Sequence, residues 1–266
     1  MIKIGFVIAA SVESPWSEIH KQGQKKTWLM ELDKADSWIA AYSSGEVGES
    51  WINPNKHWKL QYGSKLNAGH VISDPDFFES NGAFFKGVSG YGSLVGTSFS
   101  AISYLLKNHQ CDYVVRTNVS SYWNVHALRD FLEFSKGEIS YSGKNVKLFR
   151  HIRGLYRHDV YASGAGIIMR ADVANKFVEH SKRVPKNIID DMAIGKLAFK
   201  LGVKCTDLPR IDINQLSDVE ELTEYQLKTN FHYRCKSYSK NEGLSSRGDA
   251  QIMQRIHKKI KGNGER

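Results

Sequence analysis

The sequence has few cysteines, no long hydrophobic run and too few acidic residues to balance its basic ones. Its three cysteines, Cys111, Cys205 and Cys235, are odd in number and lack the spacing of metal ligands, which favours reduced thiols over a disulfide framework. The longest apolar runs, such as 5–10 and 165–169, are far too short to span a bilayer. We therefore expect a soluble cytoplasmic protein without a catalytic cysteine.

Acidic residues are scarcest near the C-terminus. The chain carries 37 Lys and Arg against 28 Asp and Glu, and residues 232–266 hold only three of these carboxylates. A basic segment implies an anionic partner, which is a nucleic acid, an anionic membrane surface or the diphosphate of a nucleotide sugar. Because no nucleic-acid-binding module is evident, we expect no nucleic-acid partner and keep that function as a distant alternative. A solvated tail helix is the plainer interpretation of residues 258–261.

Hydrophobic periodicity predicts alternating strands and helices. Strands are predicted at 2–10, 37–42, 57–62, 113–116, from 138 and at 160–170, and helices at 17–32, 98–108, 124–135, 172–180 and 190–201. Asn124 and Asp172 are predicted helix caps, and Gly202 a helix end. This order favours an α/β sheet with helices on its faces.

Polar residues follow the predicted strand at 113–116. Asn118 and Ser120 lie at its carboxyl end, where ligands bind in open α/β sheets. They contact a ligand or form an ordinary polar turn. Arg116, just inside, is either a buried charge paired with a carboxylate or a phosphate contact. Trp123 is a candidate to stack on a sugar ring, and the alternative is a core tryptophan.

Side chains alternate along residues 231–236. In an extended segment, His232, Arg234 and Lys236 share one face. Three cationic or donor side chains on one face suit a diphosphate, and Arg247 is a fourth candidate. The alternative is an edge strand that turns its intervening residues to the core.

The acidic pair Asp190 and Asp191 opens a predicted helix. A helix N-terminus lowers the pKa of a carboxylate and keeps it a proton acceptor. The pair can therefore supply a general base for attack by a hydroxyl; the alternative is ordinary capping. Gly164 and Gly166 interrupt a predicted strand, which indicates close backbone approach to a ligand or strand-to-helix packing.

Five short motifs follow one another along roughly residues 2–200. They are Lys25-Lys26-Thr27-Trp28, Tyr91-Gly92-Ser93-Leu94, the strand 112–120, the segment 163–172 and Asp190-Asp191-Met192-Ala193-Ile194-Gly195. In this order they resemble the β-1,3-glycosyltransferase family, which includes galactosyl- and N-acetylglucosaminyltransferases and Fringe. The resemblance implies a GT-A fold, with a Rossmann-like, mixed and mostly parallel sheet flanked by helices. The Asp-x-Asp metal motif of such enzymes is replaced by Asn118-Val119-Ser120, whose side chains are poor ligands for a hard divalent cation.

The resemblance implies an inverting hexosyl- or pentosyltransferase that moves a sugar from a nucleotide sugar to a glycan or lipid-linked acceptor. Asp191, beside Asp190, would be the catalytic base. The donor-binding residues would be Ala10, Ser11, Arg116, Asn118, Ser120, His232, Arg234, Lys236 and Arg247. Gly164, Gly166 and Trp123 would contact the acceptor or sugar.

We expect residues 1–266 to form one domain, with the basic segment 203–266 folding back over the donor site. Side-chain cations would replace a metal ion, so we expect no metal cofactor. A role in a bacterial or viral polysaccharide pathway fits this interpretation. The protein would then contact the membrane that carries the acceptor peripherally. Because the metal motif is missing, the alternative is a catalytically inactive relative that binds carbohydrate or a nucleotide sugar.

Overall fold

The computed structural model describes residues 1–11, 14–44, 70–72, 84–88, 91–152, 155–184, 189–237 and 247–262. The strands in these ranges are β1 Ile4–Ser11, β2 Ser37–Ser44, β3 His70–Ile72, β4 Phe84–Val88, β5 Tyr113–Asn118, β6 Ser121–Trp123, β7 Tyr141–Ile152, β8 Leu155–Arg170, β9 Thr206–Asp207, β10 Ile211–Ile213 and β11 His232–Cys235. The α-helices are α1 Trp16–Glu18, α2 Tyr91–Asn108, α3 Val125–Phe134, α4 Ala171–Glu179, α5 Asp190–Lys200, α6 Leu216–Glu220, α7 Glu224–Thr229 and α8 Asp249–Gly262. A π-helix spans Ile19–Gln24, and 3-10 helices span Trp28–Glu31 and Ser181–Arg183.

Eight strands form the main sheet, in the order β3-β4-β2-β1-β5-β8-β7-β9. Strands β4, β2, β1 and β5 run parallel, whereas β8 runs antiparallel to both β5 and β7. The predicted α/β fold with a mixed, mostly parallel sheet is confirmed. Because Ala9 pairs with Asn118, the carboxyl ends of β1 and β5 lie side by side, at the edge where such sheets bind ligands.

Helices cover both faces of the sheet. Helices α2, α4 and α5 pack on one face around Phe99 and Phe177, and α3, α8 and the π-helix pack on the other around Phe6 and Trp28. Burying an apolar side chain of this size contributes roughly 1.5–3 kcal/mol, so the two cores fix the sheet between its helix layers. No helix in the described ranges has both the length and the apolar character needed to cross a membrane.

The segment after residue 203 returns to the carboxyl edge of the sheet. Strands β10, β11 and β6 form a second sheet, in which β11 runs antiparallel to β6 and His232 pairs with Trp123. Helix α8 then packs on the π-helix, where a Cβ on Gly23 would lie 2.9 Å from the sulfur of Met253. That residues 1–266 form one domain, and that this segment covers a donor, stay predictions.

Two helix ends follow their sequence signals. Asn124 caps α3, because its side chain accepts a hydrogen bond from the N–H of Ala127 at 3.2 Å. Gly202 follows α5 with a φ of +68°, the left-handed conformation in which glycine ends helices. Both predictions are confirmed.

Two predicted helix starts are wrong. Helix α2 begins at Tyr91, so the predicted start at 98 lies inside the helix, where the hydroxyl of Ser98 bonds to Asp190 on α5. Asp172 lies in the first turn of α4, while Arg170 occupies the cap position and binds its carboxylate at 2.6 Å. The side chain of Asp172 therefore binds an arginine instead of capping the helix.

The helix predicted at 17–32 is also wrong in detail. The chain there forms α1, the π-helix and a 3-10 helix in succession. The side chain of Gln24 donates to the main-chain oxygens of Asn118 and Ser121, at 3.0 and 3.2 Å. These tertiary contacts occur where the predicted α-helix is interrupted. Helix propensity alone does not account for them. The strand predicted at 57–62 lies outside the described residues.

Candidate active site

The two carboxylates that open α5 lie in different surroundings. Asp190 is buried, accepts a hydrogen bond from the hydroxyl of Ser98 at 3.0 Å and pairs with Arg116. Asp191 accepts main-chain N–H groups, from Gly164 at 2.8 Å and from Met192 at 2.7 Å. The charge of Asp190 is therefore balanced by an ion pair, whereas the carboxylate of Asp191 is held by main-chain N–H groups.

Burial, helped by the neighbouring charge of Asp190, raises the pKa of Asp191 from its ordinary 3.8 to about 6. The N–H of Gly164 and the charge of Arg116 oppose this shift. The prediction of a lowered pKa is wrong, because burial outweighs the effect of the helix N-terminus. A carboxylate with this pKa is mostly ionised at neutral pH and is a stronger base than an exposed aspartate.

Arg116 lies inside β5 and is 4% exposed. Its Nη1 donates to the main-chain oxygen of Gly164 and its Nη2 to the carboxylate of Asp190. Of the two interpretations of Arg116, the structure shows the buried charge paired with a carboxylate. We therefore no longer assign Arg116 to the donor, and we no longer assign Asp190 a direct catalytic role.

Asn118 and Ser120 form a polar turn at the end of β5. The side-chain oxygen of Asn118 accepts the N–H of Ser120 at 3.2 Å and the hydroxyl of Ser121 at 3.0 Å. The hydroxyl of Ser120 accepts a hydrogen bond from Arg247 at 2.8 Å. The ordinary turn is thus present, and a further contact of Asn118 or Ser120 with a ligand stays a prediction.

A divalent cation, which the family resemblance would place at this turn, does not fit these residues. The amide oxygen of Asn118 already accepts two hydrogen bonds, and the hydroxyl of Ser120 faces a guanidinium that repels a cation. In the part of the chain that the structure describes, no group of three or more His, Cys, Asp or Glu residues is arranged to hold a metal. We therefore derive no chemical step through a metal ion.

Arg234 extends from β11 into this edge of the sheet. Burial and the charge of Arg210 lower its pKa, and Arg247 acts in the same direction. Asp212 and Asp191 oppose the shift, so all four charged groups lie around Arg234. Its Nε is buried and has no hydrogen-bond partner among the described residues. A buried donor without a partner is costly, so Arg234 marks a place suited to an anionic ligand.

Arg210 is held beside Arg234 by its own aspartate. It binds both carboxylate oxygens of Asp212, at 2.6 and 2.9 Å, and donates Nη1 to the hydroxyl of Ser163 at 2.9 Å. Bidentate pairing fixes the plane of the guanidinium. Arg210 therefore presents a positioned cation next to Ser163 on β8.

Arg247 is held in the same way. It pairs with the buried carboxylate of Asp249, donates to Ser120 at 2.8 Å and lies 4.5 Å from the ring centre of Trp16. These contacts join the start of α1, the turn after β5 and the start of α8. The C-terminal segment therefore contributes a fixed cation to the carboxyl edge, as its basic composition suggested.

Arg210 and its partner Asp212, and also Asp249, which holds Arg247, were not among the predicted site residues. The available signal was an Arg-x-Asp spacing, which occurs at 210–212 and at 247–249. The same spacing at 170–172 forms a partly exposed pair at the start of α4. The pattern therefore predicts a local ion pair but does not say which pairs belong to the site.

His232 is a buried part of the core and carries no charge at neutral pH. It stacks on Trp123 with ring centres 4.1 Å apart, and its Nε2 lies 3.3 Å from the hydroxyl of Ser121. Burial, together with the charges of Arg210 and Arg234, holds the pKa of His232 well below 6.5. We therefore drop His232 as a cationic phosphate ligand.

Trp123 and Gly166 belong to the same packing. Trp123 is 1% exposed and its indole N–H donates to the hydroxyl of Thr117 at 3.0 Å, so its ring is not available to a sugar. A Cβ on Gly166 would lie 2.4 Å from Cε1 of His232. The missing side chain at Gly166 therefore makes room for the ring of His232 and not for a ligand. Gly164, in contrast, lies against Asp191.

The remaining predicted donor residues lie at the same edge. Ala10 and Ser11 end β1, just beyond the point where this strand meets Asn118. Lys236 follows β11, and burial and the charge of Arg234 lower its pKa. The structure thus brings these residues to the turn, and their contact with a donor stays a prediction.

No protein-family model and no curated protein matches this chain. Among solved structures, 4-diphosphocytidyl-2C-methyl-D-erythritol synthase from Anaerococcus prevotii is 10% identical with a TM-score of 0.45, over 78% of this chain and 86% of that chain. A mannosyltransferase from Pyrobaculum calidifontis, in complex with GDP-mannose and Mn²⁺, is 13% identical with a TM-score of 0.42, over 77% and 54%. A glucose-1-phosphate thymidylyltransferase from Bacillus anthracis is 11% identical with a TM-score of 0.40, over 78% and 87%. With TM-scores of this size, we base no conclusion on these similarities.

Proposed function

We propose that this protein is a GT-A-type glycosyltransferase, which moves a sugar from a nucleotide-sugar donor to a hydroxyl of a glycan or lipid-linked acceptor with inversion. The supporting observation is the proximity of Asp191, a proton acceptor, to Arg234 at the carboxyl edge of the sheet. Within the described chain, the Nε of Arg234 lacks a hydrogen-bond partner. A base beside an anion site is what this reaction requires.

The charges around Arg234 suit a diphosphate. Arg210 and Arg247 are balanced by their own aspartates, yet a guanidinium has more N–H donors than these pairs use. Arg234 supplies positive charge beyond the two pairs. The diphosphate is a dianion in the donor and gains charge as it leaves, so cations fixed in advance stabilise the transition state more than the bound donor.

Asp191 removes the proton from the acceptor hydroxyl while the hydroxyl oxygen attacks the anomeric carbon of the sugar. The bond from that carbon to the diphosphate oxygen breaks, and the diphosphate keeps the electron pair. A pKa of about 6 leaves Asp191 ionised and ready to accept a proton at neutral pH. Attack opposite the leaving group inverts the configuration of the carbon.

The proposal uses side-chain cations where other enzymes of this type use a metal ion. It extends to a cytoplasmic role in polysaccharide synthesis, with peripheral contact to a membrane that carries the acceptor. The composition, the basic tail and the sequence resemblance support these statements, and the structure adds the arrangement of Asp191 and Arg234.

Thermal unfolding in the presence of nucleoside diphosphates and nucleotide sugars, with manganese or with EDTA, tests donor binding. A ligand that binds only the folded protein raises its Tm. We expect one nucleoside diphosphate to raise the Tm in EDTA as well as with manganese. The proposal fails if no nucleotide does so.

Matched charge removals locate the donor. Arg234→Gln should abolish most of the Tm shift. Lys107→Gln removes an exposed charge at the end of α2, next to the amino end of β5, and should keep the shift. Equal shifts in both variants would contradict the assigned diphosphate site.

Turnover separates an enzyme from a binding-only relative. Asp191→Asn should retain the donor-induced Tm shift but lose transfer roughly a hundredfold or more, because it removes the general base. A wild-type protein that binds a donor but transfers no sugar would support the inactive relative. Salt-dependent binding of unrelated oligonucleotides would support the nucleic-acid alternative.

A further inference from the structure

Four elements meet beneath Asp191 in a buried chain of hydrogen bonds. Ser98 on α2 donates to Asp190 on α5 at 3.0 Å, and Asp190 pairs with Arg116 on β5. Arg116 also donates to the main-chain oxygen of Gly164 on β8. The N–H of Gly164 then donates to Asp191 at 2.8 Å, so the chain ends on the carboxylate proposed as the base.

The space around Gly164 is closed from two sides. A Cβ at this position would lie 2.9 Å from Nη1 of Arg116 and 3.1 Å from Oδ2 of Asp191. Such distances are shorter than normal carbon contacts, so a side chain at this position would push Arg116 or Asp191 away from the strand. Arg116 therefore contacts the backbone unit that holds Asp191.

Burying the guanidinium of Arg116 also lowers the stability of the fold. Its Nε is buried and has no hydrogen-bond partner in the described ranges. A buried ion pair is weak evidence for stability, since the desolvation of both charges offsets their attraction. The pair with Asp190 is therefore better explained by what it does to its neighbour than by folding.

We propose that Arg116 is a positioning residue, which acts through Asp190 and Gly164 to hold the Asp191 carboxylate in place and to keep it ionised. This role rests on the proposed function, in which Asp191 is the base. Arg116 itself touches no substrate in this proposal.

The charged side chains around Asp191 determine whether Arg116 raises or lowers the pKa of this carboxyl. Among the described residues, the charged or titratable side chains that interact electrostatically with Asp191 include Asp190 on its own helix, Arg116 on β5, Tyr141 on β7, Tyr161 on β8 and Arg234 on β11.

Burial raises the pKa of both tyrosines, so they stay neutral near neutral pH, while Arg234 stays positive. Without Arg116, the full charge of Asp190 would act on Asp191. Two close carboxylates cannot both ionise easily, so the pair Asp190 and Asp191 would then hold a shared proton at higher pH, and the pKa seen at Asp191 would rise.

A titration of the Asp191 carboxyl carbon by ¹³C NMR tests this without any substrate, with Asp191→Asn used to assign the signal. Arg116→Gln should raise the pKa of Asp191 by roughly one unit or more, and Asp190→Asn should lower it. The double variant Arg116→Gln with Asp190→Asn should return it close to the wild-type value. Identical titration of Asp191 in Asp190→Asn and the double variant would overturn the proposal.

The double variant also keeps the test decisive if the single variant Arg116→Gln does not fold. It removes both buried charges together, which proteins tolerate better than the loss of one partner. If Arg116→Gln does not fold, the comparison of Asp190→Asn with the double variant still measures the effect of Arg116.

Kinetics supply a second readout that a purely structural role would not move. In Arg116→Gln, the acid limb of the kcat/KM profile should shift up by roughly one pH unit, a tenfold loss at low pH, with an unchanged KM for the donor. Lys107→Gln should match the wild type. An unshifted acid limb in a folded Arg116→Gln protein would overturn the role.

The two proposals fail in different ways. A wild-type protein that transfers sugar from no donor ends the proposed function, while the NMR titration still decides whether Arg116 acts on Asp191. An active enzyme whose Asp191 titrates alike with and without Arg116 ends the positioning role alone.

Discussion

Replacing Asp191 by asparagine should make the protein more stable, relative to the wild type, as the pH rises. Burial raises the pKa of Asp191 from 3.8 to about 6 in the folded state. The folded protein therefore binds this proton more tightly than the unfolded chain. That stabilising contribution is fully present below about pH 4 and is lost as the pH rises through about 6. Asp191→Asn has no such proton to lose.

The magnitude follows from the size of the shift. A difference of about 2 pKa units, at about 1.4 kcal/mol per unit, amounts to about 3 kcal/mol. The asparagine cannot accept hydrogen bonds from both Gly164 and Met192, and the lost bond costs about 1–3 kcal/mol at every pH. The variant-minus-wild-type difference in unfolding free energy should therefore grow by about 3 kcal/mol between about pH 3.5 and about pH 7, whatever its absolute value.

Urea unfolding of both proteins, followed by tryptophan fluorescence across this pH range, measures the difference. Asp172→Asn is the matched control, because hydrogen bonding to Arg170 lowers the pKa of Asp172. Its difference from the wild type should stay constant above about pH 5. A difference for Asp191→Asn that does not change with pH would refute the account of a buried, raised-pKa carboxylate.

Three further substitutions test how the fold is held together. Asn124→Ala removes the cap of α3 and should lower the unfolding free energy by about 1 kcal/mol in urea, whereas an unchanged value would mean that the cap contributes nothing. Gly166→Ala places a methyl group 2.4 Å from Cε1 of His232 and should cost about 1–3 kcal/mol, measured by the same assay; full stability would show that the site can expand. Arg129→Met leaves the buried carboxylate of Asp36 without its partner at 2.6 Å and should cost about 3–5 kcal/mol. Restoration of stability by adding Asp36→Asn is expected, and its absence would contradict the ion-pair explanation.

Local patterns predicted much of the fold. The β-branched run at Tyr113–Asn118, the cap at Asn124 and the alternation at 231–236 all depend on neighbours within one element. Such signals survive folding because secondary structure repeats over a few residues. The breakdown of the helix at 17–32 shows the limit, since its π-helix accompanies contacts with the turn after β5.

The sequence alone determined that the chain alternates strands and helices, that its tail is basic, and that two carboxylates open a helix. Only the tertiary structure decided which carboxylate pairs with an arginine. Asp190 meets Arg116, which is 74 positions away in the chain, whereas Asp191 meets the backbone of Gly164. The tertiary structure likewise buried His232 as a neutral ring and placed Arg210 beside Arg234. Burial and charge neighbours depend on strand order and register, which join residues that no local pattern connects.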